Sequence, residues 1–108
     1  MADTPLIIYE GQPGTTDTLL YTNNTSFRTV VKNVHVCNTT GLAATITLGL
    51  NSGGTLGTTT HFYSAFSVGA NSIDDRNTWS VINISGTIRA LQGTASALTV
   101  TISGVETT

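Results

Sequence analysis

Charge is what this sequence has least of. Of its 108 residues 9% are charged, four Lys or Arg against six Asp or Glu, where an ordinary soluble domain carries about 25%. The basic residues form no cluster that could neutralise phosphates or hold an anionic bilayer, so nucleic acid and membrane are excluded as partners. Cysteine is nearly absent too. Cys37 stands alone, which rules out an internal disulfide. No apolar run approaches the ~20 residues of a membrane-spanning helix. The opening M-A-D-T-P-L-I-I-Y-E places Asp3 and Pro5 where a secretory leader has a basic start and an apolar centre. These absences predict synthesis in a reducing cytoplasm, and an exit, if there is one, by another route. Helical periodicity is missing as well: no stretch of helix length repeats apolar residues at i, i+3 and i+4.

What is present is Thr, Ser, Asn and Gly, a surface wetted by hydroxyls and amides. A net charge of −2 gives little repulsion between copies, which favours association over a free monomer. The longest β-branched run is R-T-V-V-K-N-V-H-V-C-N, residues 28–38. It reads as the central strand, with Val34 and Val36 facing the core. Alternation breaks at Val30 and Val31, so either a bulge near Lys32 shifts the phase or both faces are covered. Ile46, Leu48 and Leu50 alternate with Thr45, Thr47 and Gly49, and Leu98, Val100 and Ile102 alternate with Thr99, Thr101 and Ser103. Both are half-buried strands by their period of two.

Further strands are expected over 5–10, 17–22, 61–66, 78–84 and 87–92. Turns fall at G-Q-P-G (11–14), T-T-G-L (39–42) and V-G-A-N (68–71). Residues 51–60, N-S-G-G-T-L-G-T-T-T, read as a long glycine-rich loop, and I-D-D-R-N (73–77) as a solvated acidic corner. The predicted fold is all-β: a single antiparallel β-sandwich, jelly-roll-like, of about eight short strands. It forms one domain over 1–108, with 1–10 an extended arm or an edge strand.

Candidate chemistry is sparse. His35, Cys37 and His61 make a three-ligand metal set on paper, but no CxxC or HxxxH spacing supports it, and the reading keeps them as structural residues with no metal or cofactor. Asp74 and Asp75 point to opposite faces if extended and fit a turn better than a paired-carboxylate site. There is no G-x-S-x-G elbow, and Gly53, Gly54 and Gly57 lack the Lys-Ser/Thr of a phosphate loop. The sequons at Asn23, Asn24, Asn38 and Asn83 follow from the abundance of threonine. Three T-x-T pairs, Thr45/Thr47, Thr58/Thr60 and Thr99/Thr101, are too few for an ice-binding face. Trp79 and Tyr63, beside Phe62, could stack a sugar, which makes a carbohydrate-binding module the alternative from another class, although such aromatics more often anchor a core.

The segments D-T-L-L-Y-T (17–22), V-V-K-N-V-H-V-C-N-T-T-G (30–41), A-A-T-I-T-L (43–48) and A-L-T-V-T-I-S-G-V-E (97–106) resemble small virion proteins of tailed bacteriophages. Residues 61–77 depart most from that pattern. The resemblance implies a β-sandwich subunit present in many copies on the particle and no enzymatic activity. It implies a head decoration (cement) protein bound to the major capsid protein and stiffening the shell, or else a neck, tail or fibre component. Localisation is then the virion, after synthesis in the host cytoplasm. Thr4, Pro5, Leu6, Ile7, Ile8 and Tyr9 are the expected partner-binding residues, an extended segment suited to adding a strand to a neighbour's sheet. Symmetric self-association, with a trimer favoured, would cover exposed edges.

Overall fold

The computed structural model describes residues 3–23, 28–51, 56, 61–83 and 86–107. Most of the 51–60 loop, the Asn24 sequon and the Thr58/Thr60 pair lie outside the described residues, as does the side chain of Thr4. Eight strands follow in chain order: β1 (Asp3–Gly11), β2 (Thr18–Thr22), β3 (Arg28–Asn38), β4 (Ala44–Leu50), β5 (His61–Val68), β6 (Ser72–Ile82), β7 (Thr87–Gln92) and β8 (Leu98–Thr107).

Their pairing is that of one long hairpin rolled up on itself. β4 pairs with β5 at its tip, then β3 with β6, β2 with β7 and β1 with β8, all antiparallel. Two further pairings, β3 with β8 and β4 with β7, close the roll into two four-stranded sheets, β1-β8-β3-β6 and β2-β7-β4-β5. This is the jelly-roll form of the β-sandwich, and the expected fold class stands.

Alternation decides what lies between the sheets. Val31, Val34 and Val36 of β3 and Leu98, Val100 and Ile102 of β8 meet Ile46 and Leu48 of β4 and Ile88 and Ala90 of β7, all fully buried. Each such Val, Leu or Ile contributes about 1.5–3 kcal/mol by leaving water. Leu50 is half-buried and packs on the same cluster. The phase break in β3 is a bulge: its register shifts between Val31 and Asn33 against both neighbours. Val31 therefore points inward with Val34 and Val36, while Val30 turns to the outer face and stands apart from the core cluster. The backbones come close here. A Cβ on Gly104, the β8 partner of Val31, would fall on the Val30 carbonyl oxygen, so the position tolerates glycine alone.

The acidic corner expected at 73–77 is instead the first half of β6, an unbroken strand of 11 residues. Its inward row holds Asp74, Arg76, Thr78 and Ser80, polar residues that a single sequence assigns to solvent. They fit because β6 is an edge strand at the flank of the sandwich beside β5, where Asp74 is neutralised by Arg76 and hydrogen-bonded by Tyr63. The N-terminal segment is the edge strand β1, paired along its length with β8.

Candidate interaction face

The outer face of β1-β8-β3-β6 is assembled by register. Pro5, Val105, Val30 and Val81 lie side by side across all four strands, each paired with the next. The next outward row is Ile7, Ser103, Asn33 and Asn77. Between the two rows the β3 bulge pushes Lys32 outward, and its ammonium sits 3.8 Å from the ring centroid of Trp79. Trp79 is 68% exposed and Ile7 60%. Four of the six exposed large hydrophobic side chains described, Ile7, Ile73, Trp79 and Val81, lie on β1 and β6 of this one sheet. Exposed apolar side chains gathered on one face mark interaction sites in soluble proteins; here Val30 links the row from beneath, at 7% exposure, and Ile73 stands apart, beyond Asn77 and Asp75.

Further along the face the surface turns polar. The Asn33 amide donates to Asp75 Oδ1 at 2.7 Å and to Asn77 Oδ1 at 3.1 Å, and His35 Nδ1 lies 3.6 Å from Asp75 Oδ1. Thr101 and Glu10 continue that row on β8 and β1. Cys37 pairs with Ile73 at the end.

The sheet edges are less available than the face. β1 carries Pro5 and a register shift at Ile8, and β6 turns Asp74 and Arg76 inward. β2 has five residues and a register shift between Leu19 and Tyr21. β5 is interrupted where Ala65 takes φ 47° and its register slips. Each device discourages addition of a foreign strand.

Of the expected partner-binding residues, Pro5 and Ile7 reach the outer face. Ile8 is in the core, Leu6 and Tyr9 pack against it, and only the backbone of Thr4 is described. The sugar platform does not form. Tyr63 is 2% exposed and faces the interior from the opposite sheet, while Trp79 stands outside with Lys32 on its ring. Burial won at Tyr63 because its hydroxyl finds Asp74 Oδ2 at 2.5 Å, which removes the cost of placing a phenol inside. His35 and Cys37 share the outer side of β3, but His61 belongs to the other sheet, so the three candidate ligands are not brought together.

The flank between β5 and β6 is filled, not open. Arg76 Nε donates to Asp74 Oδ2 at 2.9 Å, and its guanidinium lies 4.3 Å from the Tyr63 ring centroid and 4.6 Å from that of Phe66. Desolvation first, and the hydrogen bond to Asp74 second, hold the Tyr63 hydroxyl far above the ordinary tyrosine range. At the end of the sandwich a depression of about 210 Å³ lies between the β3–β4 turn, with exposed Leu42, and Thr94 and Ala97. That is below the ~300 Å³ at which small-molecule sites begin.

Sequence reading missed the apolar row, although a trace of it was present. The doubled valine at 30–31 and the odd-numbered Trp79 and Val81 within T-W-S-V both set apolar residues on the face opposite the core.

No protein-family model matches the chain, and no curated protein does. Among solved structures it is similar to a chain in "Structure of infectious bursal disease virus Gx strain", with 13% identity and a TM-score of 0.49, and to one in the structure of the Gt strain of that virus, with 14% and 0.43. Both alignments cover 98% of this chain, which spans 32% and 30% of those chains, about a third of their length.

Proposed function

We propose that this chain is a structural subunit of a virus particle, a decoration (cement) protein that seats on the major capsid protein and stiffens the shell. The observation that carries the reading is the apolar row Pro5, Val105, Val30 and Val81, with Trp79 and Ile7 among the exposed side chains of the same face, which holds four of the six exposed large hydrophobic side chains described. A jelly roll with a filled interior supports it, since this fold recurs in viral shells and this core is packed solid with Val, Ile and Leu. Four strands about 4.8 Å apart and some nine residues long present a face of roughly 600 Å² before side-chain relief, near the ~800 Å² per partner of a specific interface. The segment Thr4 to Tyr9 enters this reading through Pro5 and Ile7. We assign no catalytic role to the chain. A position on the neck, tail or fibre uses the same face on a different neighbour, and a trimer of the free protein would use surfaces away from it.

Immunogold labelling of intact particles tests the reading. Label over the shell supports decoration, and label confined to the tail moves the subunit there. Particles that carry no label overturn the structural role.

A further inference from the structure

Resting on the structural-subunit reading, the character of this face also defines its partner. Lys32 sits on the Trp79 ring in the middle of the exposed apolar surface. Two other cations of the chain are already matched: Arg76 Nε is 2.9 Å from Asp74 Oδ2, and Arg89 Nε is 2.9 Å from Asp17 Oδ1. The two acids of this face whose side chains are described lie elsewhere. Asp75 is engaged by Asn33 and His35, and Glu10 is level with Thr101 on the far edge strand. Covering Trp79 therefore desolvates the Lys32 ammonium with no carboxylate of its own chain described beside it, and a desolvated cation without a partner is strongly unfavourable.

A second copy does not meet this need. A two-fold axis along the strands sets Pro5, Val105, Val30 and Val81 on the same row in reverse order, an apolar match. It also gathers both Lys32 side chains along one seam and brings Glu10 over Asp75. A two-fold across the strands moves Asp75 toward the partner's Lys32. It then lays Val30 and Val105 on His35 and Thr101, two outward-facing residues further along. Neither arrangement satisfies the apolar row and the cation together.

We propose that the outer face of β1-β8-β3-β6 docks a different protein, one that presents an apolar patch over Trp79, Val81, Pro5 and Ile7 and a carboxylate to Lys32. In the particle this surface belongs to the major shell protein. Trp79 with Lys32 against its ring is the anchor: a large, stiff side chain and a charge held in place, the residue type that dominates interface energies.

Co-sedimentation with shells assembled from the major shell protein tests the proposal, using the full chain and the variants Trp79→Ala, Lys32→Glu, Lys32→Arg and, on the outer side of the other sheet, Leu19→Ser. The expected result is wild-type binding that weakens with added salt, a loss of about tenfold or more for Trp79→Ala and Lys32→Glu, and retention for Lys32→Arg and Leu19→Ser. Thermal unfolding of each variant, expected near the wild-type temperature, separates lost docking from lost folding. Wild-type protein that binds equally with Trp79→Ala and Lys32→Glu overturns the inference alone. Wild-type protein that fails to bind overturns the decoration reading as well, and label on intact particles then decides whether the chain is a structural subunit elsewhere. A dimer of the free protein abolished by Trp79→Ala assigns the face to a second copy and overturns the inference.

Discussion

The Tyr63 hydroxyl donates to Asp74 Oδ2 at 2.5 Å, and this contact ties the edge strand β5 of one sheet to the edge strand β6 of the other. Arg76 completes the tie from the same carboxylate oxygen and lies on the Tyr63 and Phe66 rings. The β5–β6 flank of the sandwich is thereby filled by charge and aromatic surface together.

Removing the carboxylate should cost more than removing the hydroxyl. Tyr63→Phe leaves Asp74 bound to Arg76 and is expected to lose about 1 kcal/mol, while Asp74→Ala leaves the buried phenol without its acceptor and removes the ion pair of the half-exposed Arg76, and is expected to lose about 2–3 kcal/mol. Urea unfolding of the two variants measures the order. Equal losses would place the stabilisation in the aromatic packing.

The same phenol makes stability depend on alkaline pH. Its folded-state pKa is raised by desolvation and then by Asp74, so its contribution is complete below about pH 10, the ordinary tyrosine value. Above that, the unfolded chain ionises first and stability falls. Titration at 295 nm should show the Tyr63 phenolate emerging with unfolding, not before it.

Asp17 acts at the other end of the pH scale. Its carboxylate accepts from Arg89 Nε at 2.9 Å and from the Leu56 backbone amide at 3.0 Å, and the Arg89 hydrogen bond, then the Leu56 one, hold its pKa below the usual range. A lowered folded-state pKa means the contact is complete above the unfolded value and is lost as pH falls through the folded one. Hydrogen exchange at the Leu56 amide should stay protected near pH 5 and lose protection in Asp17→Asn at the same pH.

Gly104→Ala should be among the most damaging single changes. A Cβ there collides with the Val30 carbonyl oxygen and crowds Ile8 Cδ1 at 3.1 Å, so the backbone must move and the loss is expected to exceed about 3 kcal/mol. Gly41→Ala, which meets nothing within 4 Å, should stay within about 0.5 kcal/mol. Thermal unfolding of the pair makes the comparison.

Much of the architecture was legible because period-two alternation states which face is buried. β3, β4, β7 and β8 lie where the pattern put them, and the break at Val30 and Val31 marked the bulge. β6 was split because Asp74 and Arg76 look like solvent-facing residues until Tyr63, Phe62 and Phe66 are beside them, and that neighbourhood is tertiary. The interaction face was hidden for a related reason. Pro5, Val30, Val81 and Val105 are isolated apolar residues on four separate strands, and only the register, through the bulge at Lys32, draws them into one row. Gln92 is a third case. It is fully buried because its side chain bridges the Pro13 carbonyl and the Leu98 amide, which are distant from each other in sequence.

Electron cryomicroscopy of shells incubated with the protein shows whether the sandwich docks and by which sheet. Sandwich density is expected on the shell, with the β1-β8-β3-β6 face, and Trp79 within it, against the shell surface. Bare shells, or density in which the β2-β7-β4-β5 sheet meets the shell, would contradict this docking.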